Sequence, residues 1–242
     1  MKFIKRTLLL LLIILLIICS ICYINGKKLY DEKISKIGLN DKINSIKEDK
    51  NFVSLDKLPK DYINAVIAVE DHRYYYHGAI DPIALLRAIV SNIKQKDFKE
   101  GGSTITQQTA KNLYFISEDN VISRKVAEFI LSFKLEKQYS KDDILELYIN
   151  TIYFGDGYYG IKEACNGYFN KDPKDMTLYE STMLAGIPNA PSIYAPTKNF
   201  NLTKSRQKKV ASSMLEYNYL SQDLYNQLMD EINNSLSFNN IN

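Results

Sequence analysis

Residues 8–24 form an apolar run in which Ser20 alone is frankly polar. Wound as a helix, the run would be about 25 Å long, near the roughly 30 Å hydrocarbon thickness of a bilayer once Thr7 and Asn25 are added. Lys2, Lys5 and Arg6 precede it, which favours a cytoplasmic N-terminus, whereas Lys27 and Lys28 follow it and blunt the asymmetry. Its length predicts an uncleaved single-pass anchor. A cleaved signal peptide would have a shorter apolar region, and Ser20-Ile21-Cys22 is only a weak small-x-small site. Neither Cys19 nor Cys22 follows the small residue that a lipoprotein cysteine needs. The chain therefore divides into a cytoplasmic tail (1–7), an anchor (8–25), a charged juxtamembrane spacer (26–50) with one short helix, and a body (51–242).

That body is large enough to bury a core. Of the 242 residues, 45% are apolar and 24% charged, which excludes global disorder. The balance of 31 basic against 28 acidic residues is too even for a nucleic-acid binder. Three cysteines without paired spacing exclude a disulfide framework and a cysteine-based zinc site, and two histidines exclude most histidine-rich metal sites. The body also reads as mainly α. Pro59 opens a helix that places Ile63, Val66, Ile67 and Glu70 on one face. Asp81-Pro82 opens another, whose apolar stripe is Ile83, Leu86, Ile89, Val90 and Ile93. Further helices are expected over residues 123–135, after Ser140, and within 199–236.

Three clusters carry candidate chemistry. Glu70 stands on an apolar stripe and is followed by Asp71; buried, its carboxyl would be shifted toward the range of a useful base, but at a helix end it can equally turn to solvent. His77, a lone histidine, is more often a hydrogen-bonded structural residue than a catalyst. In Gly101-Gly102-Ser103-Thr104-Ile105-Thr106-Gln107-Gln108, the glycines permit close approach and Ser103 or Thr104 can cap the next helix. Such a start suits an anion, with Lys111 one turn beyond Gln107 and Gln108, although a plain capped helix explains the same spacing. Arg124, Lys125 and Glu128 share a helix face, either as a surface ion pair worth under about 1 kcal/mol or as two cations for a phosphorylated ligand beside a second carboxylate.

Taken in order, Glu70-Asp71-x-x-Tyr74-x-x-His77-Gly78, GGSTITQQ with Lys111-Asn112-Leu113, Arg124-Lys125-x-x-Glu128, and Lys141-x-x-Ile144-Leu145-Glu146-x-Tyr148-x-Asn150 resemble the successive motifs of the peptidoglycan glycosyltransferases. These are the monofunctional transglycosylases and the N-terminal halves of class A penicillin-binding proteins. The resemblance spans about residues 52–216. With no Ser-Asp-Asn or Lys-Thr-Gly motif in the chain, it points to the monofunctional branch.

The resemblance implies a lysozyme-like head lobe with a smaller, membrane-proximal jaw. It implies lipid II and the growing lipid-linked glycan as substrates, on the outer face of a bacterial plasma membrane. Other cell-wall synthesis proteins are conceivable partners, and nucleic acid is not. It makes Glu70 the base that takes the acceptor 4-hydroxyl proton and Glu128 the residue that stabilises or orients the donor. Ser103, Thr104, Gln107, Gln108, Lys111, Arg124 and Lys125 would bind substrate, and Asp71 and His77 would shape the site. The main alternative, a muramidase or lytic transglycosylase, has no need of the cation cluster.

Three positions depart from the pattern. Tyr74 replaces a common Phe, Glu100 stands where many relatives have a basic residue, and residues 116–123 contain no Lys or Arg. No cofactor or metal-ligand set is required. The missing arginine leaves more charge work to Lys111, Arg124 and Lys125, or leaves room for a divalent cation (Mg or Mn) at the pyrophosphate.

Overall fold

The computed structural model describes residues 2–95 and 101–238. In order, its α-helices are α1 (Lys2–Lys36), α2 (Leu39–Lys47), α3 (Lys60–Glu70), α4 (Pro82–Gln95), α5 (Ile105–Ala110), α6 (Val121–Gln138), α7 (Lys141–Thr151), α8 (Gly160–Phe169), α9 (Leu178–Gly186), α10 (Pro191–Tyr194), α11 (Phe200–Glu216) and α12 (Gln222–Asn234). A π-helical turn over Lys111–Phe115 follows α5 directly. Among the described residues, the only β pairing is a single bridge, Tyr153 to Tyr159.

Local chemistry sets most helix starts. Asp81 Oδ1 accepts from the backbone N–H groups of Ile83 and Ala84, both at 3.0 Å, and Arg73 pairs with the same carboxylate. Ser140 and Asp143 form a capping box at α7, as Thr177 and Glu180 do at α9. Pro59 is the cap of α3 rather than its first helical residue. The body closes around two groups of helices. In one, α3, α9 and α11 pack against one another; in the other, α5 packs on α6 and α7. Ile105, Leu131, Leu135, Ile144 and Leu145 are fully buried where the second group meets. Each such side chain contributes about 1.5–3 kcal/mol by leaving water.

Two expectations change. Residues 26–50 are largely helical rather than a spacer with one short helix: α1 continues past the apolar run to Lys36, and α2 follows at once. Lys27–Asp31 and Glu32–Lys36 support the extension as i,i+4 pairs, and Leu29, Tyr30 and Ile34 pack into the core. α1 is long and apolar enough to cross a membrane, and its apolar stretch is not covered by the rest of the protein. The second change concerns α4, which exists where expected. Its stripe does not face the core, because Ile83 is 66% and Leu86 63% exposed, and Val90 is exposed as well. Ala88 lies on the face turned inward. A 3.6-residue period reports which side chains share a face, not whether protein covers that face. The side chains of Ile89 and Ile93, and residue Glu100, lie outside the described residues.

Candidate active site

Glu70 is the last residue of α3, whose buried Val66, Ile67 and Ala68 draw that end of the helix into the protein. Its side chain is 10% exposed, so the carboxylate does not turn to solvent. Gln108 Nε2 on α5 donates to Glu70 Oε2 at 2.9 Å, and Arg206 Nη2 on α11 lies 3.5 Å from Oε1. Burial pushes the Glu70 carboxyl above its ordinary range; the Gln108 hydrogen bond and the Arg206 charge oppose that shift without cancelling it, and Asp71 adds to it. Three helices distant in sequence thus converge on one buried carboxylate.

The next residue does a different job. Asp71 Oδ2 accepts from Ile105 N at 3.1 Å, and Asp71 Oδ1 lies 2.7 Å from His77 Nε2. His77 Nδ1 lies 2.7 Å from the Gly78 carbonyl, so both ring nitrogens face acceptors, as an imidazolium requires. Burial works against that charge, but the Asp71 hydrogen bond and field outweigh it and raise the His77 pKa. Asp71, His77 and Asp81 also offer ligand atoms within 4.8 Å of one another. Those atoms are already engaged by Ile105, Ile83, Ala84, Arg73 and each other, so the group ties the loop to α4 and α5. Tyr74, the departure from Phe, is fully buried, and its hydroxyl donates to the Lys141 carbonyl at 2.7 Å.

The stretch from Ser103 to Gln108 joins this carboxylate to the second one. Thr104 caps α5 in a capping box with Gln107, and its hydroxyl donates to the Ala79 carbonyl at 3.0 Å. The side chains of Thr104 and Gln107 are therefore occupied in holding the turn. At one end of the stretch Gln108 reaches Glu70; at the other, Ser103 Oγ accepts from Lys125 Nζ at 3.2 Å. Lys125 Nζ is in turn 2.6 Å from Glu128 Oε2, and Arg124 Nε is 3.3 Å from Oε1.

Glu128 is 1% exposed, which removes the surface-ion-pair explanation. Neither of its oxygens receives an aligned hydrogen bond despite the two cations. Lys111 opens the π-helical turn beside this cluster; burial lowers its pKa, and the Arg124 charge lowers it further. Ser103, Lys125, Arg124, Lys111 and Glu128 thus form a cationic cluster around a buried carboxylate, adjoining the Glu70 site through a single capped turn.

Sequence reasoning missed Arg206. It lies 136 residues from Glu70, on a helix whose local pattern gives no sign of chemistry, and its guanidinium also donates to the Gly186 carbonyl at 3.2 Å. In the sequence Tyr148 stands out only as part of a motif. Its hydroxyl is buried without a hydrogen-bond partner; burial raises its pKa, and the nearby Glu70 charge adds to the shift.

Comparison with known proteins places these features in a family. A family model described as Transglycosylase matches residues 39–215. The chain is 44% identical over 182 residues to penicillin-binding protein 1A of Neisseria lactamica, covering 75% of this chain and 23% of that protein. It is 43% identical over 201 residues to penicillin-binding protein 1F of Bacillus subtilis (strain 168), covering 82% and 28% respectively. It thus spans about a quarter of the length of these curated relatives. A solved structure of penicillin-binding protein 1A from Haemophilus influenzae aligns with 74% of this chain and 17% of that one, at 24% identity and a TM-score of 0.44. By the extent of the family match and by the motifs it encloses, the chain belongs to the transglycosylase family.

Proposed function

We infer that the protein is a peptidoglycan glycosyltransferase that polymerises lipid II into β-1,4 glycan strands, with inversion and release of undecaprenyl pyrophosphate. The observation that carries this reading is the pairing of a buried, proton-hungry Glu70 with the cationic cluster at the other end of the Ser103–Gln108 turn. Bond formation needs a base for the acceptor 4-hydroxyl and positive charge for the departing pyrophosphate. Glu70 takes the proton, and Gln108 and Arg206 hold its carboxylate in place. Lys111, Arg124 and Lys125 neutralise the leaving group, alone or with a divalent cation (Mg or Mn), while Glu128 orients the donor end. Because inversion needs one displacement, no covalent sugar–enzyme intermediate is formed. Ser103 and Gln108 face the substrate, whereas Thr104, Gln107, Asp71 and His77 act by holding its surroundings.

In this reading α1 crosses the plasma membrane with its N-terminus in the cytoplasm, and the body stands on the outer face. The exposed apolar residues of α4 suit a jaw that touches lipid beside the anchor. The test is incubation of the purified chain with lipid II, followed by separation of long glycan from soluble fragments. Polymer is the expected product. Fragments released from finished glycan, with no polymer from lipid II, would replace the transferase by a hydrolase.

A further inference from the structure

We propose that the part of α1 beyond the apolar run is a brace that positions the cationic cluster, with Gly26 and Lys33 as its positioning residues. Three contacts support it. Gly26 is buried against α6; a Cβ there would lie 2.3 Å from Val126 Cβ, 2.5 Å from Val126 Cγ1 and 3.0 Å from the Ser123 carbonyl oxygen. Only glycine lets the two helices approach so closely, and the contact flanks Arg124 and Lys125. Seven residues further along, Lys33 pairs with the Glu118 carboxylate, and the Glu118 carbonyl accepts from Arg124 Nη1 at 3.0 Å. Just beyond the helix end, the Ile37 carbonyl accepts from the Tyr114 hydroxyl at 2.9 Å. Tyr114 belongs to the π-helical turn that begins with Lys111.

The segment therefore reaches all three cations: Arg124 and Lys125 through the crossing at Gly26, Arg124 again through Glu118, and Lys111 through Tyr114. The chain lacks Lys and Arg over residues 116–123, and within this stretch it is the Glu118 backbone carbonyl that holds the Arg124 guanidinium. By pairing with the Glu118 carboxylate, Lys33 fixes the residue whose carbonyl takes Arg124 Nη1 while Arg124 Nε lies toward Glu128. Mutually repelling cations hold a shared geometry only if their backbones are fixed, and here the fixing comes from α1.

The inference rests on reading the cluster as the donor pyrophosphate site. It is tested on the full chain in detergent with lipid II and with moenomycin, a phosphoglycolipid donor mimic. Gly26→Ala should raise the KM for lipid II and the Kd for the mimic together by about tenfold, the size of one displaced ionic contact, with a smaller change in kcat. Adding Val126→Gly removes both Val126 carbons that the new methyl would meet, at 2.3 and 2.5 Å, and should restore both constants. Lys33→Ala and Tyr114→Phe introduce no clash, so they decide the matter if Gly26→Ala fails to fold; each should weaken the mimic several-fold. Variants that lose thermal stability while KM and Kd stay within twofold of the parent would overturn the brace. If Lys125→Ala bound the mimic as the parent does, the donor-site reading itself would fall.

Discussion

At the scale of single residues, the site sets two carboxylates in different electrostatic surroundings. Glu70 is held by a neutral amide and one cation at 3.5 Å, while Glu128 is pressed between two cations. Glu70→Gln keeps the shape but cannot take the hydroxyl proton. Polymerisation should fall by about 10²- to 10⁴-fold, the usual worth of a general base, while binding of the donor mimic survives. Lys111→Ala should weaken rate and binding together; if Glu70→Gln lost binding as severely, Glu70 would belong to the donor site instead. The same substitution should stabilise the fold. A carboxyl whose folded pKa is raised holds its proton more tightly when folded, so its ionised form is a burden at neutral pH. The melting temperature of Glu70→Gln should exceed the parent's at pH 7, and the excess should vanish below about pH 4.3, the ordinary glutamate pKa. No gain at pH 7 would mean that Arg206 compensates the charge fully. His77 has the opposite consequence. Its raised folded pKa stabilises the imidazolium fully below about pH 6.5 and loses that contribution as pH rises through the folded value. The stability gap between the parent and His77→Gln should therefore be widest near pH 6 and narrow at alkaline pH; a constant gap would mean that the ring acts only by its shape.

At the scale of elements, α1 is not separable from the body at the end of its apolar run. A chain starting at Leu39 loses the packing of Leu29, Tyr30 and Ile34 and should be destabilised by about 3 kcal/mol or more. A chain starting at Asn25 keeps those contacts and should melt with the parent's body and polymerise detergent-solubilised lipid II. Equal melting of the two truncations would show that the extension of α1 packs without contributing. Much of the helical scheme was legible beforehand because it is written locally. Asp81-Pro82, Ser140 with Asp143, and the stripe leading to Glu70 declare themselves within one or two turns. The ordered motifs likewise mark Glu70, Gln108 and the Arg124–Glu128 face. What escaped was decided by distant partners. Nothing near Arg206 announces Glu70, the charged stretch after Ile24 gains its helix by docking on α6, and α4 shows an apolar period whose covering surface no local pattern can specify. For Thr104 and Gln107 the sequence leaves cap and ligand both open, because the same residue types serve either; the hydrogen bonds to Gln107 N and the Ala79 carbonyl show the cap.

At the scale of the whole molecule, the continuity of α1 sets an altitude. A helix of 35 residues is about 50 Å long; in the proposed placement residues 2–25 take up the cytoplasmic end and the hydrocarbon, and residues 26–36, about 16 Å, remain to carry the body. The bilayer plane has no preferred compass direction for a lone upright span, so turning the body about that axis changes nothing the lipid can sense. Lifting it does, because a lipid-linked sugar can rise only as far as its tether allows. Polar, helix-forming residues inserted one at a time after Ile24 would each raise the body by about 1.5 Å and swing it by about 100°. Polymerisation in liposomes should then decline steadily with the number inserted, while polymerisation in detergent stays level. A rate that instead recovered every three or four residues would reveal a second fixed reference in the membrane, such as a neighbouring protein against which the enzyme must face.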